Sequence, residues 1–350
     1  MSKSKQKSPW FSEPKQKQAA LLIVVLLSIA LPFIIRDVYL QHVIVMVLWY
    51  GYIAACWNII SGYTRQVSLA HAVFVGVGAY TSVILFNELG LTPWIGMFAG
   101  ALIAVVVSLV IGYPTLRLLG IYFVMATFGL LEIFRVLFSN IVEVGPVFVG
   151  GVDGISVHLL GQNPAAFQFL GKEYYYYIIL VMLVGVMYFT YWMERSKWGF
   201  YLMAIKGEED AAHSLGINVT NYKVMTFAIS AAFAALGGSF YAQFVLFIEP
   251  NRMFGWPLSF EMLLITMIGG RGTLWGPLLG SIILTPIGEV VRTTIGGGAF
   301  AGLHLLIWGI LIILIVFFMP KGVVGLIKAG YQRLRVNLAK SSTTGLGRGV

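Results

Sequence analysis

Residues that could carry out catalysis are few and scattered along the chain. A hydrolase needs a nucleophile beside a base, or side chains that hold a metal ion. None of the five histidines belongs to an HExxH sequence, and the single cysteine, Cys56, lies in an apolar run. The one Gly-Lys pair, Gly171-Lys172, is followed by Glu173, whereas a phosphate-binding loop has Ser or Thr there. The sequence therefore predicts no enzyme active site, no metal site and no ATP site on this chain.

Two pairs of opposite charges fall within apolar runs, where an ionised side chain is costly without a partner. Glu132 and Arg135 are spaced i,i+3, as are Glu289 and Arg292. At this spacing the two side chains share one face of a helix and can form an ion pair. A structural ion pair is the favoured interpretation, and a polar translocation path or a proton relay is the alternative.

Two further polar residues in apolar surroundings have no obvious partner nearby in the sequence. Glu261 lies within an apolar run, and His71 lies among small residues in SLAHAVFVGVGAY. Each could line a translocation path, but each could equally be a hydrogen-bonded structural residue. The candidates for such a path are His71, Glu132 and Glu261.

The most polar internal segment is KGEEDAAHSLGINVTNYK, at 206–223. Its acids favour the start of a helix through the helix dipole, and Gly216 followed by Asn218 favours its end. Small side chains would let this short helix seat closely in a groove of another protein. The residues predicted to form that surface are Glu208, Glu209, Asp210, Ala211, Ala212 and Gly216.

Composition predicts the elements that hold these residues. The chain is 59% hydrophobic and 11% charged, with a mean hydropathy of +0.86. Continuous apolar runs of about 17–25 residues are typical of membrane helices, whereas a β-barrel would show short alternating strands. We therefore expect an all-α, polytopic transmembrane helical bundle of about ten segments. These are 19–35, 39–60, 68–87, 93–113, 118–138, 174–193, 223–247, 258–270, 272–292 and 302–319.

The basic residues predict the orientation of these segments. With the N-terminus inside, 18 of the 23 Lys and Arg residues fall on the inner side, which satisfies the positive-inside rule. Both termini are then cytoplasmic: a basic segment at 1–18 and a basic tail at 321–350 flank the membrane domain at 19–320. The tail is expected to lie at anionic lipid, not on nucleic acid. The longest outer loop is 139–173, and the longest inner loop is 194–222.

Two features refine the arrangement of the helices. The segment 258–270 is too short for a straight crossing of a hydrocarbon core of about 30 Å, so it and 272–292 could form a broken or re-entrant pair. Small residues recur at every fourth position in several segments, which lets helix backbones approach closely in lipid. The stripes are Gly96, Gly100, Ala104, Ser108 and Gly112; Ser230, Ala234, Gly238 and Ala242; and Gly272, Gly276 and Gly280.

Four sequence blocks in order carry a family resemblance. They are SLAHAVFVGVGAY at 68–80, GGVDGI at 150–155, the stretch around KGEEDAAHSLG, and MIGGRGTLWGPLLGSII at 267–283. Asp210-Ala211-Ala212 followed by Gly216 resembles the EAA motif of permease subunits in ABC importers, with Asp in place of the usual Glu. The chain as a whole, over about 40–327, is similar to the branched-chain amino acid (LivM-type) permease family.

This resemblance implies a transport subunit of a larger importer in the bacterial inner membrane. Its expected partners are a second permease subunit, two ATPase subunits that bind ATP and Mg²⁺, and a periplasmic substrate-binding protein. The region 199–216 would couple this chain to the ATPases, and branched-chain or related amino acids would be the substrates. Relatives for urea, short amides or aromatic compounds are the alternative, and a proton-coupled secondary transporter is a further one.

Overall fold

The computed structural model describes residues 31–32, 34–35, 37–295, 309–310 and 322–325. Its helices in chain order are α1 (Val38–Thr64), α2 (His71–Leu89), α3 (Pro93–Thr115), α4 (Ile121–Asn140), α5 (Lys172–Arg195), α6 (Lys197–Gly207), α7 (Glu209–Ser214), α8 (Val219–Val245), α9 (Pro250–Met253), α10 (Trp256–Gly269) and α11 (Gly276–Ile295). Within the described part of the chain, α1 to α5 and α8 are each long and apolar enough to cross a membrane. The chain is thus a helical, multi-pass membrane protein.

Eight predicted segments correspond to described helices. The helices α1 to α5, α8, α10 and α11 correspond in turn to the predicted segments 39–60, 68–87, 93–113, 118–138, 174–193, 223–247, 258–270 and 272–292. The predicted segments 19–35 and 302–319 lie almost wholly outside the described residues, as do 1–18 and most of 321–350. Helix bounds differ from the prediction by a few residues in both directions: α4 begins three residues later than predicted, and α1 ends four residues later. Asp37 begins α1 by accepting hydrogen bonds from the amides of Tyr39 and Leu40.

The interior is formed by α1, α2 and α8. In their most apolar windows 78%, 67% and 72% of residues are buried, against 17–39% for α3, α4 and α5. The contact between α2 and α8 is made by backbone: a Cβ atom on Gly78 would overlap the carbonyl oxygen of Ala235, and one on Gly238 would overlap that of Val75. The small-residue stripe predicted on α8 is therefore the surface that packs against α2.

The stripe on α3 has the same role at the edge of the bundle. All five of its residues are buried, while the large apolar side chains on the other faces of α3, such as Phe98, Leu102 and Val110, are exposed. Gly100 approaches the backbone of Gly78, so α3 packs on the side of α2 that carries small residues. Its exposed face is apolar, as expected for a helix that contacts lipid.

The loop at 139–173, which we call the outer loop after its predicted side, contains short strands that were not predicted. β1 (Glu143–Val144) pairs with β2 (Val147–Phe148), and β3 (Ile155–Ser156) pairs with β4 (Phe247–Ile248), both antiparallel. Gly154 has a φ of +76° and lies against the carbonyl oxygen of Ile248, where a Cβ atom would not fit. The GGVDGI sequence thus fastens this loop to the segment that follows α8. The all-α prediction needs this small correction.

The paired helices α10 and α11 differ in length. With 14 residues, α10 reaches only about 21 Å. The turn between the helices lies beside the inner end of α1: Gly272 donates its amide proton to Asn58 Oδ1 over 2.8 Å, and Arg271 donates to the Ser61 carbonyl over 2.7 and 2.9 Å. The part of the membrane thickness that α10 does not span therefore lies beyond its N-terminal end, where β4 and α9 precede it.

We predict that Gly238→Val destabilises the protein by separating α2 from α8. Overpacking of this kind typically costs about 1–3 kcal/mol, and here the opposing atoms are backbone. The measurement is the thermal unfolding midpoint of the purified chain in detergent. Gly185→Val is the matched control, because it makes the same change in α5 where nothing lies within 4 Å. Equal midpoints for the two variants would contradict the packing described.

Candidate coupling surface

The loop at 194–222, which we call the inner loop after its predicted side, contains two short helices, α6 and α7. As predicted from the acids, α7 begins directly after Glu208, with Glu209 and Asp210 in its first turn. Its end is a Schellman motif. The Gly216 amide donates a hydrogen bond to the His213 carbonyl over 2.9 Å, and the Ile217 amide donates one to the Ala212 carbonyl over 3.2 Å.

Gly216 is needed for this helix end and not for a close contact within the chain. It has a φ of +81°, where an L side chain is strained, and a Cβ atom added there would meet no atom within 4 Å. Asn218 then begins α8, its Oδ1 accepting from the Asn221 amide over 3.1 Å. The glycine therefore sets the direction in which the chain leaves α7.

The predicted surface residues divide into two groups. Ala212 is only 1% exposed and packs inside this chain, so a bulky residue there would disrupt the protein's own fold. Glu209 lies 2.5 Å from Lys223 Nζ in an ion pair, and the Lys223 side chain is 1% exposed. The ion pair holds α7 against α8. Glu209 was assigned to the outward surface because it lies next to the motif. In the structure its carboxylate also stabilises a contact within this chain.

The other face of α7, together with Leu215 directly after it, points outward. Asp210 and Ala211 are exposed, and Leu215 is 79% exposed although it is a large apolar residue. We call Asp210, Ala211 and Leu215 the coupling surface. Leu215 was not singled out from the sequence, because the six-residue helix is too short to show which of its faces is buried. A large exposed apolar side chain of this kind can serve as an anchor in a pocket of another protein.

A cluster of charged residues connects the loop to the rest of the bundle. Arg65, at the end of α1, donates to the Lys206 carbonyl of α6 over 3.4 Å, and Lys206 Nζ lies beside Gly272 in the turn between α10 and α11. Burial lowers the pKa of Lys206, the charges of Arg271 and Arg65 lower it further, and that of Glu194 raises it. This cluster joins three elements that are distant in sequence.

The three candidates for a translocation path lie in different surroundings. His71 is fully buried, with its Nε2 2.7 Å from Ser230 Oγ, and it packs between Phe74 and Phe227. Because the Ser230 hydroxyl donates to the Cys56 carbonyl, His71 Nε2 is the donor in its own bond. The surroundings of His71 are those of a structural histidine, and its role in a path stays a prediction.

The two glutamates are closer to one another. Glu132 forms the expected ion pair with Arg135, whose guanidinium also donates to Asn251 Oδ1 over 2.9 Å. Glu261 lies on α10 and lines a cavity that Asn251 also lines. The structure therefore brings Glu132 and Glu261 to the same outer region, through Arg135 and Asn251, and leaves His71 elsewhere.

Comparison with known proteins identifies the class to which this architecture belongs. The family described as the branched-chain amino acid transport system/permease component matches residues 39–316. Since that match covers most of the chain, the chain belongs to this family. It is a transport permease that spans the membrane several times, and the family assignment made from the four sequence blocks is confirmed.

Three relatives illustrate the similarity. The chain is 27% identical to the high-affinity branched-chain amino acid permease LivM of Salmonella typhimurium over 89% of this chain and 75% of the relative. The LivM protein of Escherichia coli is 28% identical over 87% of this chain and 75% of the relative. The permease LivH of Salmonella typhimurium is 22% identical over 79% of this chain and 91% of the relative. No solved structure matches the chain.

We predict that Glu209→Gln loosens α7 from α8, because it leaves the buried Lys223 ammonium without its charged partner. Breaking a fully buried pair costs about 3–5 kcal/mol. Since the Glu209 carboxylate is partly exposed, we expect about 1–3 kcal/mol here. The measurement is the thermal midpoint together with protease cleavage within 206–223. The control is Glu208→Gln, one residue earlier and exposed, which should change neither the midpoint nor the cleavage. If Glu209→Gln also changed neither, the ion pair would have no structural role.

Proposed function

We propose that this chain is one permease subunit of an ATP-driven importer in the bacterial inner membrane, with branched-chain or related amino acids as its substrates. Support for the substrate class comes from the two LivM relatives, whose names describe high-affinity branched-chain amino acid transport. The similarity to LivH supports a second permease subunit beside this one. A periplasmic binding protein would deliver the substrate, and the outer loop at 139–173 is the candidate for contact with it.

The energy for transport would come from two separate ATPase subunits that bind ATP and Mg²⁺. The observation that carries this proposal is the coupling surface: a short helix that ends in a Schellman motif and presents Asp210, Ala211 and Leu215 outward. An ATPase groove would hold Leu215 as its apolar anchor, because a large apolar side chain in a pocket supplies much of the binding energy of such contacts. Ala211 would allow close approach of the two surfaces.

Movement of the ATPases could then reach the membrane helices along two routes. One route runs from α7 through the Glu209–Lys223 ion pair into α8, which packs on α2 and α3. The other runs from α6 through Lys206 to Gly272, and from there to the inner end of α1. Both routes consist of direct contacts, through which a shift of α6 and α7 would be passed to α1 and α8.

The proposal is tested by Ala211→Trp in a transporter reconstituted in liposomes with its ATPases, its second permease and its binding protein. The exposed position accepts the indole without disturbing this chain, but overpacking at the ATPase contact by about 1–3 kcal/mol should lower ATP-driven uptake of leucine about tenfold or more. Leu170→Trp is the control, since Leu170 is 81% exposed in the outer loop. Its uptake should match that of the unsubstituted protein.

Two outcomes would contradict the proposal. Normal uptake by Ala211→Trp would show that this surface does not contact the ATPases. Uptake that persists without ATP but stops when the proton gradient is collapsed would instead support a proton-coupled transporter.

A further inference from the structure

A groove of about 600 Å³ runs along α8 between α3 and α5. Val105 and Leu109 of α3 and Phe189 of α5 form its walls, and the face of α8 from Asn221 to Phe233 forms its floor. We call it the α8 groove. Apart from Asn221, every side chain of the described lining is apolar. Its volume is in the range of sites for small molecules, about 300–1,000 Å³.

The groove exists because α8 is packed closely on one side only. α3 packs along α8, whereas α5 approaches this part of α8 through the rings of Phe189 and Phe233, whose centres are 5.2 Å apart. Ala228 and Ala232 of α8 lie on the floor between these two neighbours. Because their side chains are small, the described part of the chain leaves the space above them unfilled.

The length of the groove matches one leaflet of a bilayer. From Asn221 to Phe233 it follows α8 for about 18 Å, at 1.5 Å per residue. Half of a hydrocarbon core of about 30 Å is about 15 Å. The groove also opens to the lipid-facing surface, since Leu109 and Met225 in its lining are both exposed large apolar residues. It therefore has the length and the access that a single acyl chain needs.

The polar end of the groove has the residues of a membrane interface. Asn221 is exposed there, and the exposed aromatic residues Tyr113 and Trp192 lie one helical turn beyond Leu109 and Phe189. Tyrosine and tryptophan are enriched at the level of the lipid headgroups. A lipid in the groove would thus have its headgroup at the end of the bundle where α6 and α7 lie.

Two exposed basic residues follow these aromatic side chains. The Arg117 guanidinium lies 4.4 Å from the ring centre of Tyr113. Lys197 begins α6 directly before Trp198, whose ring centre is 6.3 Å from that of Phe189. Basic residues beside an apolar site between membrane helices are complementary to a negatively charged lipid headgroup.

The charge of this rim is not cancelled by neighbouring acids. Within the described ranges, neither Arg117 nor Lys197 forms an ion pair. Glu194, three residues before Lys197, accepts a hydrogen bond from the Tyr63 hydroxyl instead. The rim therefore favours an anionic ligand over a neutral or zwitterionic one.

We propose that the α8 groove binds one acyl chain of an anionic phospholipid, whose phosphate lies between Arg117 and Lys197. The chain would cover Ala228 and Ala232, and the Asn221 amide would donate to the headgroup. The length of the groove, its apolar lining and its positive rim all favour this occupant. A neighbouring protein helix would account for the apolar lining but would not require the basic residues at one end.

The experiment measures which lipid lies in the groove. The full chain is placed in liposomes of equal parts phosphatidylglycerol and phosphatidylcholine, with a trace of one or the other carrying a diazirine in its acyl chain. After illumination, adducts are counted at Met225 and Ile229 in the groove and at Ile133 and Leu137, which lie on α4 outside it. The α4 positions give the intrinsic ratio of the two lipids.

We expect the ratio of phosphatidylglycerol to phosphatidylcholine adducts in the groove to exceed that on α4 by about tenfold or more. The reason is that each basic residue near an anionic headgroup favours binding by about fivefold. An equal ratio at the two places would overturn the proposal. So would a groove without adducts from either lipid, the result expected if a protein helix covers it.

Charge variants locate the source of this preference. Arg117→Gln and Lys197→Gln should each lower the groove ratio by about fivefold. Arg65→Gln is the matched control, because Arg65 is likewise an exposed arginine just after a membrane helix at the same end of the bundle, but lies outside the groove. It should leave the ratio unchanged. A preference that survives both Arg117→Gln and Lys197→Gln would overturn the assignment of the headgroup.

A variant that fills the groove tests the place of the acyl chain. Ala232→Phe puts a ring on the floor and should lower the phosphatidylglycerol adducts at Met225 and Ile229 severalfold. Val184→Phe, which adds the same ring at an exposed position of α5 outside the groove, should not. Unchanged groove adducts in Ala232→Phe would overturn the proposal. The basic residues at the rim are exposed, so their variants test it even if Ala232→Phe fails to fold.

Discussion

A lipid bilayer gives apolar helices no hydrophobic reason to associate, so the bundle depends on how closely their backbones can approach. The contact between α2 and α8 shows this constraint directly, because at Gly78 and Gly238 the backbone of one helix lies against the backbone of the other. α3 packs on the same side of α2 through its stripe of small residues, and α1 packs on α8, α11 and α5. The lipid-facing helices are therefore arranged around a contact that tolerates no added atom.

The inner loop is fastened to this interior at two points. Lys223, almost fully buried at the start of α8, pairs with Glu209 of α7, and Lys206 of α6 lies against Gly272. This pair is a specific link, because moving the Glu209 carboxylate away would leave the buried Lys223 ammonium without its charged partner. α6 and α7 are thus linked by direct contacts to the helices of the interior.

Much of this arrangement was predictable from local sequence. Long apolar runs located the helices, the fourfold spacing located the buried stripes, and the acids and Gly216 located α7. Contacts between residues far apart in sequence were not predictable: the pairing of β3 with β4, the cluster of Lys206 with Arg65 and Arg271, and the cavity shared by Glu249 and Glu261. The motif placed Ala212 on an outward surface, and proximity to the motif placed Glu209 there. In the structure Ala212 is buried, Glu209 pairs with Lys223, and Leu215 is exposed.

The central claim is that the outward face of α7 is the surface through which ATPases act on this chain. Its most direct test is a photo-reactive amino acid placed at Leu215 in cells that produce the complete transporter. The account predicts a covalent adduct between this chain and an ATPase subunit, formed from position 215 and absent when the same group is placed at Leu170 on the outer loop. An absence of ATPase adducts from position 215, with the transporter intact and active, would contradict it.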